Sequence, residues 1–277
     1  MPELPEVETI SRQLERVVSG KKIKKIEVSL PKIVKAPLVA FGRALQGAII
    51  KKISRRAKIL IFEMDNGWSL LVHLKMTGQL IFSEEVCSRH KHTHVIFNFA
   101  DGSQMLFNDL RQFGYLKLAR TEELDAFFIK EGLGPEPLPA SFTLARFKEV
   151  LLKKPKAKIK QFLMDPKNIA GIGNIYSDEI LFASRVHPLQ RVFSLKQEEI
   201  KKIYDNIKKI LSLAVKLRGT SSSDYLDAFG KKGKFAQELR VYGREGEKCV
   251  KCKSSIVRIK AGGRSAHFCP ACQRLKP

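Results

Sequence analysis

The sequence is short of acidic residues and of long apolar runs. Only 28 of its 277 residues are Asp or Glu, against 51 Lys and Arg, which leaves a formal charge of +23 at pH 7. Its apolar stretches, such as residues 59–62, fall far below the roughly 20 residues that cross a bilayer, and Lys or Arg lies beside them. We therefore expect no membrane span. Nucleic acid is a better candidate partner than a membrane surface.

The amino terminus lacks the features of a secretory leader. Residues 1–20 contain acidic side chains where such a leader has a basic segment followed by an apolar one. We therefore expect a cytoplasmic protein, in a reducing compartment where structural disulfides are rare. A hydrophobic content of 44% is normal for a chain with a full core, and 277 residues are enough for two domains.

Cysteine is also scarce, and four of the five cysteines form two close pairs. Cys249 and Cys252 make the first pair, and Cys269 and Cys272 follow after sixteen residues. In a reducing compartment this spacing predicts one structural Zn²⁺ in a closed tetrahedral site, because each tight turn offers two thiolates to the same ion. Cys87 lies far away in the sequence and is not expected to be a ligand.

The apolar patterns predict an α+β protein of several domains. Residues 5–19 have the spacing of an amphipathic helix that stops at Gly20. Short alternating runs between residues 22 and 120 predict an antiparallel β-sandwich. Helices are predicted over residues 142–152, 158–164, 175–183 and 195–217. The predicted order is a sandwich domain with its flanking helix (1–131), a linker rich in Pro and Gly (132–139), a helical domain (140–240) that contains a mobile loop (219–236), and a zinc ribbon (241–277).

Basic residues concentrate in two segments. Residues 153–160 contain five lysines, and residues 248–277 contain eight Lys or Arg and no acidic residue. Like charges at this density repel one another unless an anion lies across them, although a merely solvated basic surface is the alternative. Between the segments, Gly171 and Gly173 precede a helix whose exposed amides can face a phosphate. Together these features predict a clamp on the DNA backbone.

The chain opens MPELPEVET. Proline is favoured in the first turn of a helix, and acidic side chains are favoured near the positive end of its dipole. On these grounds alone, the stretch is an ordinary helix start.

Three motifs change that interpretation. PELPEVET at the start, GIGNIYSDE in the middle and HFCPACQ in the ribbon together resemble bacterial formamidopyrimidine-DNA glycosylases, and the resemblance covers the whole chain. It implies a β-sandwich, a helix-two-turns-helix domain and a zinc ribbon. It also implies a monomeric bifunctional enzyme of base excision repair that acts on double-stranded DNA at the bacterial nucleoid. Such an enzyme removes oxidised purines, including 8-oxoguanine and formamidopyrimidines, and cleaves the strand by β,δ-elimination, with zinc as its one cofactor.

The resemblance assigns a chemical role to the start of the chain. Removal of Met1 turns Pro2 into a free secondary amine, and α-amino groups titrate near about pH 8, so a neutral fraction can attack the sugar C1′. The attack expels the damaged base and leaves a cationic imine. The resemblance also implies that Glu3 is the general acid or base and that Glu6 is a supporting carboxylate.

Other residues are implied one position at a time. Lys58 in RRAKIL and Arg264 in GGRSAHFC match catalytic residues that hold the phosphates beside the lesion. Without the resemblance, the remaining matches would be surface or core residues. Further DNA contacts are expected at His73, His92, Arg111, Lys156 and Asn174. The void left by the extruded base is expected to be filled by Met76, Arg111 and Phe113. The loop 219–236 resembles a lid over that base.

Three positions depart from the family pattern, and two other functions remain open. Leu110 and Gln112 replace residues of the common DPRRFG motif, and Lys75 stands where Gly is common, which bears on opposite-base preference and wedge geometry. One alternative is an endonuclease VIII-like enzyme for oxidised pyrimidines, disfavoured by Leu4 and Phe113. The other is a non-catalytic zinc-ribbon DNA-binding protein, which would have no use for a processed terminal proline.

Overall fold

The computed structural model describes residues 1–221 and 224–276, which divide into two compact units. The first comprises Met1–Glu131 and Leu217–Ala236, and the second comprises Gly132–Lys216 and Gln237–Pro277. Residues 222 and 223 of the predicted loop, and residue 277 of the predicted ribbon, lie outside the described residues. The domain boundaries drawn from the sequence stay a prediction.

The first unit is the predicted antiparallel β-sandwich, with helices beside it. One four-stranded sheet has the order β1-β6-β7-β5 and the other β2-β3-β4-β8. The strands are β1 (Ile23–Val28), β2 (Ile50–Arg56), β3 (Ile59–Met64), β4 (Trp68–His73), β5 (Gly78–Ser83), β6 (Thr93–Phe99), β7 (Gln104–Asp109) and β8 (Tyr115–Arg120). The helices are α1 (Leu4–Val18), α2 (Leu38–Leu45) and α3 (Leu124–Lys130), with 3₁₀ turns at Pro31–Ile33 and Thr121–Glu123.

Helix α1 confirms the helix predicted over residues 5–19. Its apolar residues Val7, Ile10 and Leu14 are fully buried, and they belong to one core cluster with Leu60 and Phe62 of β3. Burial of each such side chain stabilises the fold by about 1.5–3 kcal/mol. The apolar stripe of α1 therefore fastens the start of the chain to the sandwich.

Helix α2 lies in the range that the sequence pattern assigned to strands. Phe41, Ala44 and Leu45 are buried on one of its faces, at helical spacing. The helix was missed because two turns offer too few apolar positions to separate a helical period from short alternation.

The described residues of Leu217–Ala236 are held against α1 and β5. The Phe82 N–H donates to the Ala228 carbonyl at 2.8 Å, and the Ala228 N–H donates to Gln13 Oε1 at 2.9 Å. Asp227 is fully buried and accepts from Arg218 Nη1 at 2.9 Å. The segment has no apolar period because single contacts, and not a helix or strand face, hold it in place.

The second unit is helical, with a two-stranded ribbon, as predicted. Its helices are α4 (Leu144–Leu152), α5 (Ile159–Met164), α6 (Asn174–Ser184) and α7 (Gln197–Lys216). Its 3₁₀ turns are Val192–Ser194 and Phe235–Glu238, the latter shared with the end of the first unit's segment, and its strands are β9 (Val257–Ala261) and β10 (Arg264–Phe268), paired antiparallel. Among the described residues, no helix combines the length and the apolar character that crossing a bilayer requires.

Candidate active site and DNA interface

The first turn of α1 fixes the two carboxylates predicted to act there. Glu3 is the N-cap residue, and its side chain accepts the Glu6 backbone N–H. In return the Glu3 N–H donates to Glu6 Oε2 at 2.7 Å. This reciprocal capping box satisfies two helix-end donors and holds both carboxylates at the positive end of the dipole. Pro2 is buried beside them, and Met1 is 37% exposed.

Glu6 also joins α1 to the segment Leu217–Ala236. Its other oxygen, Oε1, accepts the Thr220 N–H at 2.7 Å. Gly219 makes this approach possible: its φ is +78°, and a Cβ there would lie 2.8 Å from Glu6 Oε1. Burial, together with the Glu6 and Asp227 charges, raises the pKa of Tyr225 well above its ordinary value, so its hydroxyl stays neutral beside this contact. Sequence reasoning singled out neither Gly219 nor Tyr225.

Lys58 and His73 lie close together at one end of their sheet. Lys58 directly precedes β3, and Ile59 pairs with His73 at the end of β4. Burial, with the positive charges of Lys75 and Lys58, lowers the pKa of His73 to about 3, so the ring is neutral. Its Nδ1 accepts the Lys75 N–H at 2.9 Å, which leaves Nε2 as the ring's donor. A cation and a neutral donor side by side suit a phosphate.

A buried aspartate organises the turns that carry the predicted void fillers. Asp109 ends β7, and its Oδ1 accepts the Thr77 hydroxyl at 2.5 Å and the Arg111 N–H at 3.2 Å. Its Oδ2 accepts the Gly114 N–H at 2.7 Å. One carboxylate therefore fixes both turns, with residues 74–78 on one side and 110–114 on the other. Sequence analysis did not single out Asp109. The only available signal was its place at the head of DLRQFG.

The side chains on these turns face outward. Phe113 is 54% exposed, and the Arg111 guanidinium lies 4.8 Å from its ring centroid. Met76 is half-buried. Phe113 is therefore not a core residue, and its exposure is maintained by a rigid loop. Gln112 and Lys75 have φ values of +57° and +50°.

In the second unit, Asn174 and Arg264 lie at the ends of secondary-structure elements. Asn174 is the first residue of α6, and its buried Oδ1 has no hydrogen-bond partner in the described part of the chain. Arg264 is exposed and begins β10 after a Gly262-Gly263 turn with φ of +60° and +78°. A Cβ at Gly262 would lie 1.6 Å from Gln161 Nε2, so this turn sits directly on α5.

Asp178, in the GIGNIYSDE motif, holds the ribbon in place, a role that was not predicted from the sequence. Asp178 of α6 accepts from Lys160 Nζ at 2.6 Å and from the His267 N–H at 2.9 Å. Lys160 also donates to the Ser265 carbonyl at 2.7 Å. The inclusion of Lys160 in the DNA-facing lysine cluster is therefore wrong, because its side chain is 1% exposed and neutralised inside the protein.

Glu179 holds the approach to the ribbon in a similar way. Its carboxylate accepts the backbone N–H groups of Arg240, Val241 and Tyr242 at 2.9–3.1 Å. Burial raises the pKa of Glu179 even though these donors act against it. Adjacent acidic residues on α6 thus fix one segment before Arg264 and one segment after it.

Lys156 and His92 are the two remaining predicted contacts, and the His92 carbonyl accepts the Asp109 N–H at 3.0 Å. Lys156 is exposed, and Arg191 Nη1 donates to its carbonyl at 3.1 Å. His92 is half-buried and its ring centroid lies 5.2 Å from that of His90. Burial, followed by the charge of Lys91, lowers the pKa of His92.

The four paired cysteines meet as predicted. All four sulfurs lie within 4.8 Å of one another, with Cys249 Sγ 3.9 Å from Cys272 Sγ and Cys252 Sγ 3.3 Å from Cys269 Sγ. A tetrahedral Zn²⁺ with bonds of about 2.3 Å needs sulfur separations of about 3.8 Å. The donor set fits one structural zinc, and the prediction is confirmed. Cys87 is exposed, and its thiol donates to Ser83 Oγ at 3.0 Å.

Comparisons with known proteins match all three regions of the chain. Family models match residues 1–116 (Formamidopyrimidine-DNA glycosylase N-terminal domain), 133–225 (Formamidopyrimidine-DNA glycosylase H2TH domain) and 246–275 (Zinc finger found in FPG and IleRS). The formamidopyrimidine-DNA glycosylase of Heliobacterium modesticaldum is 44% identical over 99% of this chain and 100% of its own. That of Streptococcus pneumoniae is 42% identical over 99% of each.

Solved structures agree with these matches. A complex of a mutant Lactococcus lactis FPG with Fapy-dG-containing DNA has a TM-score of 0.93 and 40% identity, covering 99% of this chain and 100% of that one. A complex of Lactococcus lactis Fpg with abasic-site DNA has a TM-score of 0.92 and 40% identity, covering 98% and 99%.

Proposed function

The chain belongs to the formamidopyrimidine-DNA glycosylase family, and from that premise we propose how its residues carry out the reaction. It is a base excision repair enzyme that removes oxidised purines and cleaves the resulting abasic strand. Relatives bound to Fapy-dG DNA and to abasic-site DNA support these two stages. The observation that carries the mechanism is the buried pair Pro2 and Glu3, held at the start of α1 by the capping box.

The first stage needs Met1 to be removed, since the Pro2 nitrogen is otherwise an unreactive amide. The freed amine bonds to C1′, and the bond from C1′ to the base nitrogen breaks with its electron pair leaving on the base, which takes up a proton. The C1′–O4′ bond then opens to give an iminium ion. Glu3 moves the proton from the amine to O4′. Glu6, through its bond to the Glu3 N–H, keeps this carboxylate in place.

The second stage uses the iminium as an electron sink. Loss of a C2′ proton expels the 3′ phosphate with its electron pair, a second elimination expels the 5′ phosphate, and water then releases the sugar fragment from Pro2. Lys58 and His73 in the first unit, and Asn174 and Arg264 in the second, are proposed to hold these phosphates. The support is the Nε2 donor of neutral His73. His92, Arg111 and Lys156 are proposed as further DNA contacts.

Base extrusion leaves a void in the duplex that Met76, Arg111 and Phe113 are proposed to fill. The exposed Phe113 on the loop organised by Asp109 supports this role. Lys75 replaces the expected glycine, yet its φ of +50° is a conformation that glycine adopts freely. The substitution therefore keeps the backbone of the turn and adds a cationic side chain.

Borohydride trapping on oxidised duplex DNA tests the nucleophile. Pro2→Gly, and a form whose terminus stays blocked by Met1, should lower the covalent adduct by about 100-fold or more, the effect of losing a positioned catalytic group. Pro5→Gly is the matched control, since the same substitution three residues later leaves the terminal amine. Full trapping by the blocked form would contradict the mechanism. Absence of any adduct with the wild type would favour a non-catalytic DNA-binding protein.

Lesion preference and cellular location are the remaining proposals. We expect release of 8-oxoguanine to be faster than release of thymine glycol from matched duplexes, and the reverse order would favour an endonuclease VIII-like specificity. We also propose a cytoplasmic enzyme that associates with the nucleoid through DNA. Microscopy of a tagged chain with and without the zinc ribbon would test that association.

A further inference from the structure

A cationic pocket lies in the second unit, between the end of α4 and the turn after α5. Arg146, Lys153, Lys154 and Lys167 are among the residues that line it, and its volume is about 330 Å³. Asp165 is the one acidic residue among the described residues that line it. Because Arg146 is paired with Glu149, three lysines against the Asp165 carboxylate leave an excess of two positive charges.

The three lysine charges are not neutralised by side chains in the described part of the chain, whereas the Arg146 charge is paired. In the part of the chain that the structure describes, the amines of Lys153, Lys154 and Lys167 make no hydrogen bond or ion pair. Arg146 pairs with Glu149 at 2.7 Å on the exposed side of α4. One oxygen of Asp165 is committed to the Lys167 backbone N–H at 2.9 Å. The pocket therefore keeps most of its positive field.

Helix electrostatics explain only part of this arrangement. Lys153 and Lys154 follow the C-terminus of α4, where cations offset the helix dipole. Lys167 comes from a separate turn, has no such role, and adds repulsion to the other amines. An anion bound in the pocket would relieve that repulsion.

The wall of the pocket is rigid. The Gly134 N–H donates to the Pro166 carbonyl at 2.8 Å, and a Cβ at Gly134 would lie 2.4 Å from the Asn168 carbonyl oxygen. Asn168 is itself buried, and its Nδ2 donates to the Phe162 carbonyl at 3.1 Å. The linker at Gly134 and the turn after α5 are thus held together by hydrogen bonds and close packing. The pocket is therefore preformed.

We propose that the cationic pocket binds a backbone phosphate of the DNA duplex outside the lesion, an inference that rests on the proposed function for its choice of partner. Lysine amines act as point charges that can surround a phosphate without a fixed fork geometry. The chain context agrees, since Lys156 lies two residues after Lys154 and the turn of Lys167 leads to Asn174. Both of those residues are proposed DNA contacts.

Salt-dependent binding to duplexes of two lengths tests the proposal. Lys167→Gln is compared with Lys209→Gln, an exposed lysine of α7 outside the pocket that has the same change of charge. Both duplexes carry a stable abasic analogue, and the short one retains only its immediate flanks. On the long duplex, Lys167→Gln should make the negative slope of log K against log salt shallower by about 0.9, the contribution of one phosphate contact. On the short duplex it should match Lys209→Gln.

Each alternative result has a clear meaning. Equal slopes for the two variants on the long duplex, or equal losses on both duplexes, would overturn the proposal. Inorganic tripolyphosphate that binds the wild type but not Lys167→Gln, with unchanged duplex binding, would identify a free oligophosphate as the ligand and would also overturn it. Borohydride trapping by the wild type reports the proposed function separately. If trapping fails, the duplex-binding comparison still tests the pocket.

Discussion

The two units hold the residues proposed to act in the reaction in place by different forces. In the first unit, Pro2 and Glu3 directly precede helix α1, whose apolar face is buried in the sandwich core. In the second, Arg264 stands on a ribbon fixed by four thiols and by the buried carboxylates of Asp178 and Glu179. The helix that carries the proposed catalytic terminus thus depends mainly on non-directional burial, whereas the ribbon depends on a few directional bonds.

The difference follows from the size of each element. A two-stranded ribbon buries too little apolar surface to fold alone, so a metal and charged braces must substitute for a core. A sandwich of eight strands buries enough apolar surface to fold without a metal. Its polar groups are therefore not needed to hold the fold together and can line the proposed active site. Loss of the metal or of one buried carboxylate should therefore unfold the ribbon without affecting the sandwich. A single substitution in the sandwich core should lower its stability only in part.

The largest expected effect is removal of zinc. Structural zinc contributes about 10–16 kcal/mol of apparent binding energy in small zinc domains, so chelation should unfold the ribbon and abolish tight DNA binding. Trp68, the one tryptophan in the sequence, lies in β4 and reports on the sandwich alone. Its fluorescence transition in urea should stay unchanged. Intact DNA affinity in a zinc-free sample would contradict the contrast between the units.

Asp178→Asn should have the next largest effect. It leaves the buried Lys160 ammonium without its anion, and breaking a buried pair costs about 3–5 kcal/mol. Hydrogen exchange of the α6 amides should accelerate accordingly, with no change in the Trp68 transition. Asp205→Asn is the control, since its exposed pair with Lys201 contributes below about 1 kcal/mol. Equal effects of the two variants would show that the buried brace is not needed.

Leu60→Ala should have the opposite effect to the two preceding changes, because it destabilises the sandwich and leaves the zinc ribbon intact. Leu60 is fully buried in the core, and truncation of such a leucine costs about 2–5 kcal/mol. The Trp68 transition should shift to lower urea, while zinc content stays at one ion per chain. Val39→Ala, at a side chain 67% exposed, should change stability by less than about 0.5 kcal/mol. Loss of zinc from Leu60→Ala would mean that the units are not independent.

His73 should give the smallest effect, visible as a pH dependence. Its pKa is lowered to about 3 in the folded protein, so the unfolded chain binds more protons between that value and the ordinary histidine pKa of 6.5. Folding stability therefore falls as the pH is lowered through this window, by about 1 kcal/mol from pH 7 to pH 5.5. Urea unfolding of the sandwich should show this loss in the wild type. His73→Gln should not show it, and an identical loss there would assign it to other groups.

Sequence patterns predicted the features that repeat or that pair locally. The stripe of α1, the alternating strands and the two CxxC turns each repeat a spacing, and these were confirmed. Features that depend on one contact between distant segments were not predictable. Lys160 looked like its neighbours in a basic run, and only its meeting with Asp178 shows it to be a buried structural cation. Asp109 and Glu179 act in the same way, through backbone donors that carry no sequence signal.

The sequence by itself determined the chemistry that is available: a proline placed to become a terminal amine, adjacent carboxylates, four thiols and an excess of cations. Only the tertiary structure decided which of these groups are presented and which are consumed internally. It buried Lys160, exposed Phe113 and gave each oxygen of Glu6 a different backbone partner. The physical reason is that a side chain's role depends on desolvation and on partners brought from far along the chain, and neither is a property of local spacing.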